Sequence, residues 1–126
     1  MSEVVLSLEA IAKLIYEEVR PWGKFRSCPH QLASSLKIIT VNPGGLLSLQ
    51  YHRQRSEYWV FLDGGLEVTL GSRTWQPRPG EELFIPAETP HRLQGVGTQP
   101  ARVMELWLGS SDEDDIVRLE DIYGRD

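Results

Sequence analysis

The chain has a single cysteine, Cys28, so no disulfide can form within it, and a small disulfide-stapled fold is excluded. A lone thiol suits a reducing compartment, with Cys28 an ordinary unpaired side chain. No apolar run approaches the ~20 residues needed to span a bilayer. The opening Met1-Ser2-Glu3 has neither the basic region nor the cleavage-site pattern of a signal peptide. The expectation is a soluble, cytoplasmic protein with no membrane partner. Lysine is scarce, at Lys13, Lys24 and Lys37 only, against ten arginines. With 18 acidic residues, 13 basic ones, a formal net charge of −5 and no basic stripe, nucleic acid is excluded as a partner. There is no low-complexity tract and no internal repeat with a period of about 20–50 residues, which excludes a solenoid.

What is present fits one folded domain. The 126 residues suffice for one core, and 40% hydrophobic residues, 11 glycines and 8 prolines describe a turn-rich globular chain. Leu8, Ile11 and Leu14 recur at helical spacing, so a short helix or lead-in segment is expected over residues 4–14, within an N-terminal arm at 1–15. In Arg20-Pro21-Trp22-Gly23 the proline forces an extended or turning backbone. From Ser35 the texture is that of strands. Leu36–Val41 is β-branched and ends at the turn signal Asn42-Pro43-Gly44-Gly45. Strands are expected over 46–52, 57–62, 66–70, 73–76, 82–85, 91–94 and 101–108, and the core over about 16–110. Short strands with turn signals between them predict an all-β sandwich or barrel. The four tryptophans, Trp22, Trp59, Trp75 and Trp107, are expected in core and rim packing. The acidic, amphipathic tail from Asp112 to Tyr123 predicts a short helix or a docking segment, within a C-terminal extension at 111–126.

One constellation carries chemistry. Gln50 and His52 are two apart and share a face of a strand. Glu57 follows after a stretch long enough for a short turn and the start of a returning strand. His91 lies downstream in Pro86-Ala87-Glu88-Thr89-Pro90-His91-Arg92. A neutral amide, two imidazoles and one carboxylate suit a divalent metal. Arg55 and Arg92 each sit beside one of these donors, placed either for surface ion pairing or for capturing a phosphate or sugar hydroxyls. His30 forms a Cys-x-His pair with Cys28, but no matching partners exist, and a loop role is expected.

The spacings Gly44-x5-Gln50-x-His52-x4-Glu57-x6-Gly64 and Gly80-x5-Pro86-x-Glu88-x2-His91 resemble the two motifs of the cupin superfamily, small β-barrels of jelly-roll type. Three positions depart from that pattern: Gln50 stands for the first histidine, Glu88 for the second motif's last glycine, and Gly95 for its usual asparagine. The Gln-x-His, Glu, His set is similar to that of metal-dependent mannose-6-phosphate isomerases. Arg20–Phe25, Thr40–Gly44, Leu47–His52 and Asp114–Arg125 resemble the type II phosphomannose isomerase domain, a likeness running from about residue 16 to the end. In that family the domain often follows a mannose-1-phosphate guanylyltransferase, for which 126 residues leave no room. Relatives often read His-His-His-Arg-Ala-Glu-His-Trp where this chain has His52-Arg53-Gln54-Arg55-Ser56-Glu57-Tyr58-Trp59, so imidazoles are missing at 53, 54 and 58.

The resemblance implies interconversion of mannose 6-phosphate and fructose 6-phosphate. Gln50, His52, Glu57 and His91 would hold a divalent ion, zinc first, with cobalt, manganese, nickel or iron as alternatives. Glu105 and Lys37, on strands that can face the barrel interior, are the candidates for moving the proton. Arg55 and Arg92 are the phosphate candidates, and a homodimer is implied. Two other classes stay open: a cupin that binds metal and sugar without turnover, and an iron-dependent oxygenase, to which a neutral amide ligand is poorly suited.

Overall fold

A computed structural model describes residues 15–27, 33–109, 112 and 114–122. The expected helix or arm over 4–14, Cys28 and His30 lie outside the described residues. No described helix is long and apolar enough to cross a membrane.

Eleven strands are described: β1 (Tyr16–Arg20), β2 (Gly23–Ser27), β3 (Ala33–Val41), β4 (Leu49–Tyr51), β5 (Arg55–Phe61), β6 (Leu66–Leu70), β7 (Arg73–Trp75), β8 (Glu82–Ile85), β9 (His91–Gly95), β10 (Ala101–Gly109) and β11 (Val117–Glu120). β1 and β2 form a hairpin through Pro21-Trp22. The rest form a four-stranded sheet, β3-β10-β5-β8, and a five-stranded sheet, β11-β4-β9-β6-β7, with every pairing antiparallel. Period-two alternation sets the inner face of each strand. On β10, Ala101, Val103, Glu105 and Trp107 are buried, while Arg102, Met104 and Leu106 are less so. Val41, Trp59, Phe61, Ile85, Ala101 and Val103 of one sheet meet Leu66, Val68 and Leu93 of the other in a single core. Each large apolar side chain buried there contributes roughly 1.5–3 kcal/mol. This is the all-β double-sheet jelly roll that the motifs imply.

Of two departures in the motifs, one has a structural reason and the other runs against the backbone. The turn after β3 docks on the end of β9: Gly44 N donates to Gly95 O, and Gly95 N to Gly45 O, both at 2.9 Å. A Cβ on residue 95 would stand 2.2 Å from Asn42 O, so the close approach requires glycine. Glu88, by contrast, has φ 65°, the left-handed region that glycine enters freely and glutamate does not.

The structure corrects three expectations and decides a fourth. Leu46–His52 is not one strand: Leu46 makes an isolated bridge to Gln94, and the regular part is β4 alone. Glu57 does not lie on a strand returning beside β4, because β4 and β5 belong to different sheets and the chain crosses between them at 52–54. Of the two alternatives for the acidic tail, its described residues form no helix and instead dock, with β11 pairing β4. Trp59 and Trp107 are core residues, but Trp22 is 74% exposed at the hairpin turn.

Candidate metal centre

The interior row of the five-stranded sheet reads Arg118 (β11), Gln50 (β4), His91 (β9), Leu70 (β6), each paired with the next across the strands. Two rows of the other sheet face it: Lys37, Glu105, Trp59, Leu83, and Ser35, Trp107, Glu57, Ile85. Between the sheets lies a cavity of about 160 Å³ lined by Gln50, His52, Arg55, His91, Lys37, Glu105, Arg92 and Arg118, among others.

His52 and His91 line it, and they and Glu57 are all buried, with one donor atom from each within 4.8 Å of the others. His52 Nε2 is 3.1 Å from Glu57 Oε2, and His91 Nε2 is 4.0 Å from Glu57 Oε1. Both rings are oriented from behind by backbone carbonyls. His52 Nδ1 donates to Asp115 O at 2.6 Å, and His91 Nδ1 to Thr89 O at 2.9 Å. With the Nδ1 proton given to a carbonyl, each ring has its Nε2 on the Glu57 side, as in histidines whose outer nitrogen is held by a carbonyl while the other faces a metal. His91 Nε2 is buried without a hydrogen-bond partner, and such an orphan costs roughly 1–3 kcal/mol unless a ligand fills the gap. Gln50 is held by Ser48, whose hydroxyl donates to Gln50 Oε1 at 2.6 Å. His52, Glu57 and His91 therefore fit a divalent cation on chemistry and on geometry, and Gln50 beside His91 on chemistry.

The electrostatics favour the same state. Burial pushes Glu57 upward, but the His52 hydrogen bond and the His91, His52 and Arg55 charges outweigh it and bring the carboxyl down to about 2. Burial lowers His91, against the pull of Glu57 and Thr89. Glu105 is pushed up to about 7, by burial first and the Glu57 charge second, against the Trp107 hydrogen bond and the Arg55 and His52 charges.

The arginines differ in what they hold. Arg55 is buried: Nε donates to Glu57 Oε2 at 2.9 Å, Nη2 lies 3.2 Å from His52 Nε2, and the guanidinium stacks 3.4 Å from the Trp107 ring centroid. Lys37 Nζ lies 4.1 Å from the centroid of that same ring. Arg92 donates from Nε to Leu47 O at 3.0 Å and meets Glu120 at 3.4 Å. Arg53 and Gln54 are exposed, and Tyr58 points to the outer face, where it bonds Glu82 and packs with Leu108. None of the three positions that lack imidazoles lines the cavity.

Sequence reasoning missed three contributors: Asp115, Trp107 as a platform for two cations, and Arg118. The apolar–polar alternation of Val117-Arg118-Leu119-Glu120 is the strand signal that places Arg118. Asp115 had no signal, because its part depends on which loop it meets.

Two facing sheets that enclose a histidine–carboxylate cluster define a cupin with a candidate metal site. More narrowly, residues 9–121 match the family model described as "Mannose-6-phosphate isomerase C-terminal", and the chain belongs to that family. It is 41% identical over 110 residues to the alginate biosynthesis protein AlgA of Pseudomonas aeruginosa, covering 86% of this chain and 23% of AlgA. It is 38% identical over 110 residues to a mannose-1-phosphate guanylyltransferase of Klebsiella pneumoniae, with the same coverage of 86% and 23%. The chain thus spans about a quarter of the length of these relatives. Among solved structures, the capsular polysaccharide assembling protein CapF of Staphylococcus aureus superposes with a TM-score of 0.64 over 85% of this chain and 33% of CapF, at 14% identity, a likeness of fold alone.

Proposed function

We propose that this domain is a metal-dependent aldose–ketose isomerase that interconverts mannose 6-phosphate and fructose 6-phosphate. The observation that carries the reading is the convergence of buried His52, Glu57 and His91, of which the two histidines line a cavity together with Glu105, in a chain of this family. His52, Glu57, His91 and the neighbouring Gln50 would hold a divalent ion, zinc being the first choice for such a donor set. Bound there, the ion would act as a Lewis acid on the sugar carbonyl.

The chain's own groups supply the rest. Glu105 is the proposed proton-transfer group, with Lys37, its cross-strand neighbour, as the second candidate. Glu105 carries an acid poised near neutrality, as an acid that must both take and return a proton requires. Arg55 holds Glu57 by its Nε and so orients the carboxylate. Arg92, adjacent to His91, lines the cavity wall and contributes positive charge toward an anionic substrate. Burial of these groups between two sheets limits water and strengthens each electrostatic contact.

A coupled assay on metal-loaded protein tests the proposal. Turnover of mannose 6-phosphate is expected, with loss of at least about 100-fold in Glu105→Gln. Absence of turnover with zinc, cobalt and manganese in turn would sink it. One of the two grounds for the binding-only reading, the imidazoles missing at 53, 54 and 58, concerns positions that do not line the cavity.

The proposal extends to a cytoplasmic homodimer acting on a soluble sugar phosphate. The dimer is supported by edge strand β3, where Leu36 and Ile38 are each 61% exposed. Sedimentation of wild type against Leu36→Glu/Ile38→Glu tests it, and an unchanged mass would remove the dimer from the reading.

A further inference from the structure

We infer that Arg118 is the residue that receives the phosphate of the substrate, an inference that rests on the sugar-phosphate reading above. Four long cationic side chains line the cavity: Lys37, Arg55, Arg92 and Arg118. Three are engaged. Arg55 is bound to Glu57 and stacked on Trp107, Lys37 lies over the same ring, and Arg92 is braced by Leu47 O and Glu120. Arg118 differs, because its Nε is buried and has no hydrogen-bond partner.

A guanidinium N–H withdrawn from water without an acceptor is costly, and the cost is recovered when an anion arrives. The geometry places that donor beside the metal centre. Arg118 is the cross-strand partner of Gln50, which in turn pairs with His91, so all three project from the same face of one sheet. A substrate with its carbonyl end toward His91 and Glu57 would run along this row and bring its far end to β11. A guanidinium offers two parallel N–H groups to phosphate oxygens, whereas an ammonium offers a point charge. Arg118 is therefore a specificity residue for the anionic end of the substrate, and it takes no part in proton transfer.

The test is made on zinc-loaded protein and reads binding, so it does not depend on turnover. Titrations with mannose 6-phosphate, inorganic phosphate and neutral mannose compare wild type with Arg118→Gln and Arg118→Lys. Arg118→Gln is expected to weaken mannose 6-phosphate binding by about 10- to 100-fold, the range for losing a charge-assisted hydrogen bond. Zinc content and the weak binding of mannose should stay at wild-type levels, and Arg118→Lys should fall between. In wild type, the Nε–H resonance of Arg118 should move on addition of mannose 6-phosphate, a readout that requires no variant to fold. Unchanged affinity in Arg118→Gln, an unmoved Nε–H resonance at saturation, or no binding of either phosphate by wild type would each overturn the inference. Phosphate binding through Arg118 without turnover would overturn the isomerase reading alone. Full turnover in Arg118→Gln with an unchanged KM would overturn this inference alone.

Discussion

At Glu105, burial and the nearby Glu57 charge favour the protonated acid, which is held up to about 7 against an ordinary 4.5. The folded chain thus binds this proton more tightly than the unfolded chain. The stabilisation is complete below pH 4.5 and is lost as pH rises toward 7, amounting to roughly 3 kcal/mol at about 1.4 kcal/mol per unit. Glu57 acts in the other direction and in another window, because its carboxyl at about 2 makes it stabilising above pH 4.5 and loses that effect only in stronger acid. Urea denaturation of metal-free protein between pH 5 and 8 should therefore show wild type losing stability relative to Glu105→Gln as pH rises; parallel curves would refute the assignment. Glu88 offers a second residue-scale test. Its side chain is exposed and its φ of 65° is unfavourable for any residue with a Cβ, so Glu88→Gly should stabilise the fold. The expected gain is about 0.5–1 kcal/mol, the relieved strain less the entropy glycine adds to the unfolded chain, measured as a raised denaturation midpoint.

Among the elements, the segment from Asp112 to Glu120 does more than its composition suggests. Asp115 accepts from the backbone N–H groups of Arg53 and Gln54 through its carboxylate, at 2.9 and 2.8 Å, and from His52 through its carbonyl. It thereby fixes the crossing from β4 to β5 and the orientation of a metal-site ring. Asp115→Ala should cost about 1–2 kcal/mol of stability, since two N–H groups lose their acceptor, and should weaken zinc binding about 10-fold. Zinc affinity equal to wild type would show that β11 pairing alone holds the crossing.

These elements also show where sequence reading stopped. The meeting of His52, Glu57 and His91 was legible because few residue types suit a metal and the strand period restricts spacing. The turn at 42–45 was legible because Pro-Gly-Gly leaves the backbone few conformations. The sheet change at 52–54 was not, because four residues join a hairpin as readily as a crossing, and only distant β9 and β10 decide between them. β11 was hidden by its acidic surroundings, and Arg118 with it, since a strand partner is chosen by the fold and not by neighbours in sequence.

Over the whole molecule, Glu57 comes from the four-stranded sheet, while Gln50 and His91 come from the five-stranded one. An ion held among them ties the two layers, so bound metal should add to global stability. At a free zinc concentration about 1,000 times Kd the gain is about 4 kcal/mol, seen as a higher Tm that chelator reverses. The gain should vanish in His91→Ala and shrink in Gln50→Ala; an equal rise in Tm in His91→Ala would place the ion elsewhere. One further consequence follows from β11 lying against β4. Residues 112–120 are translated after every other described strand, yet they supply the carbonyl behind His52 and the guanidinium beside Gln50. A chain cut before residue 112 would keep ten of the eleven described strands but lose one wall of the chamber and the carbonyl behind His52, leaving a barrel impaired in holding an ion there.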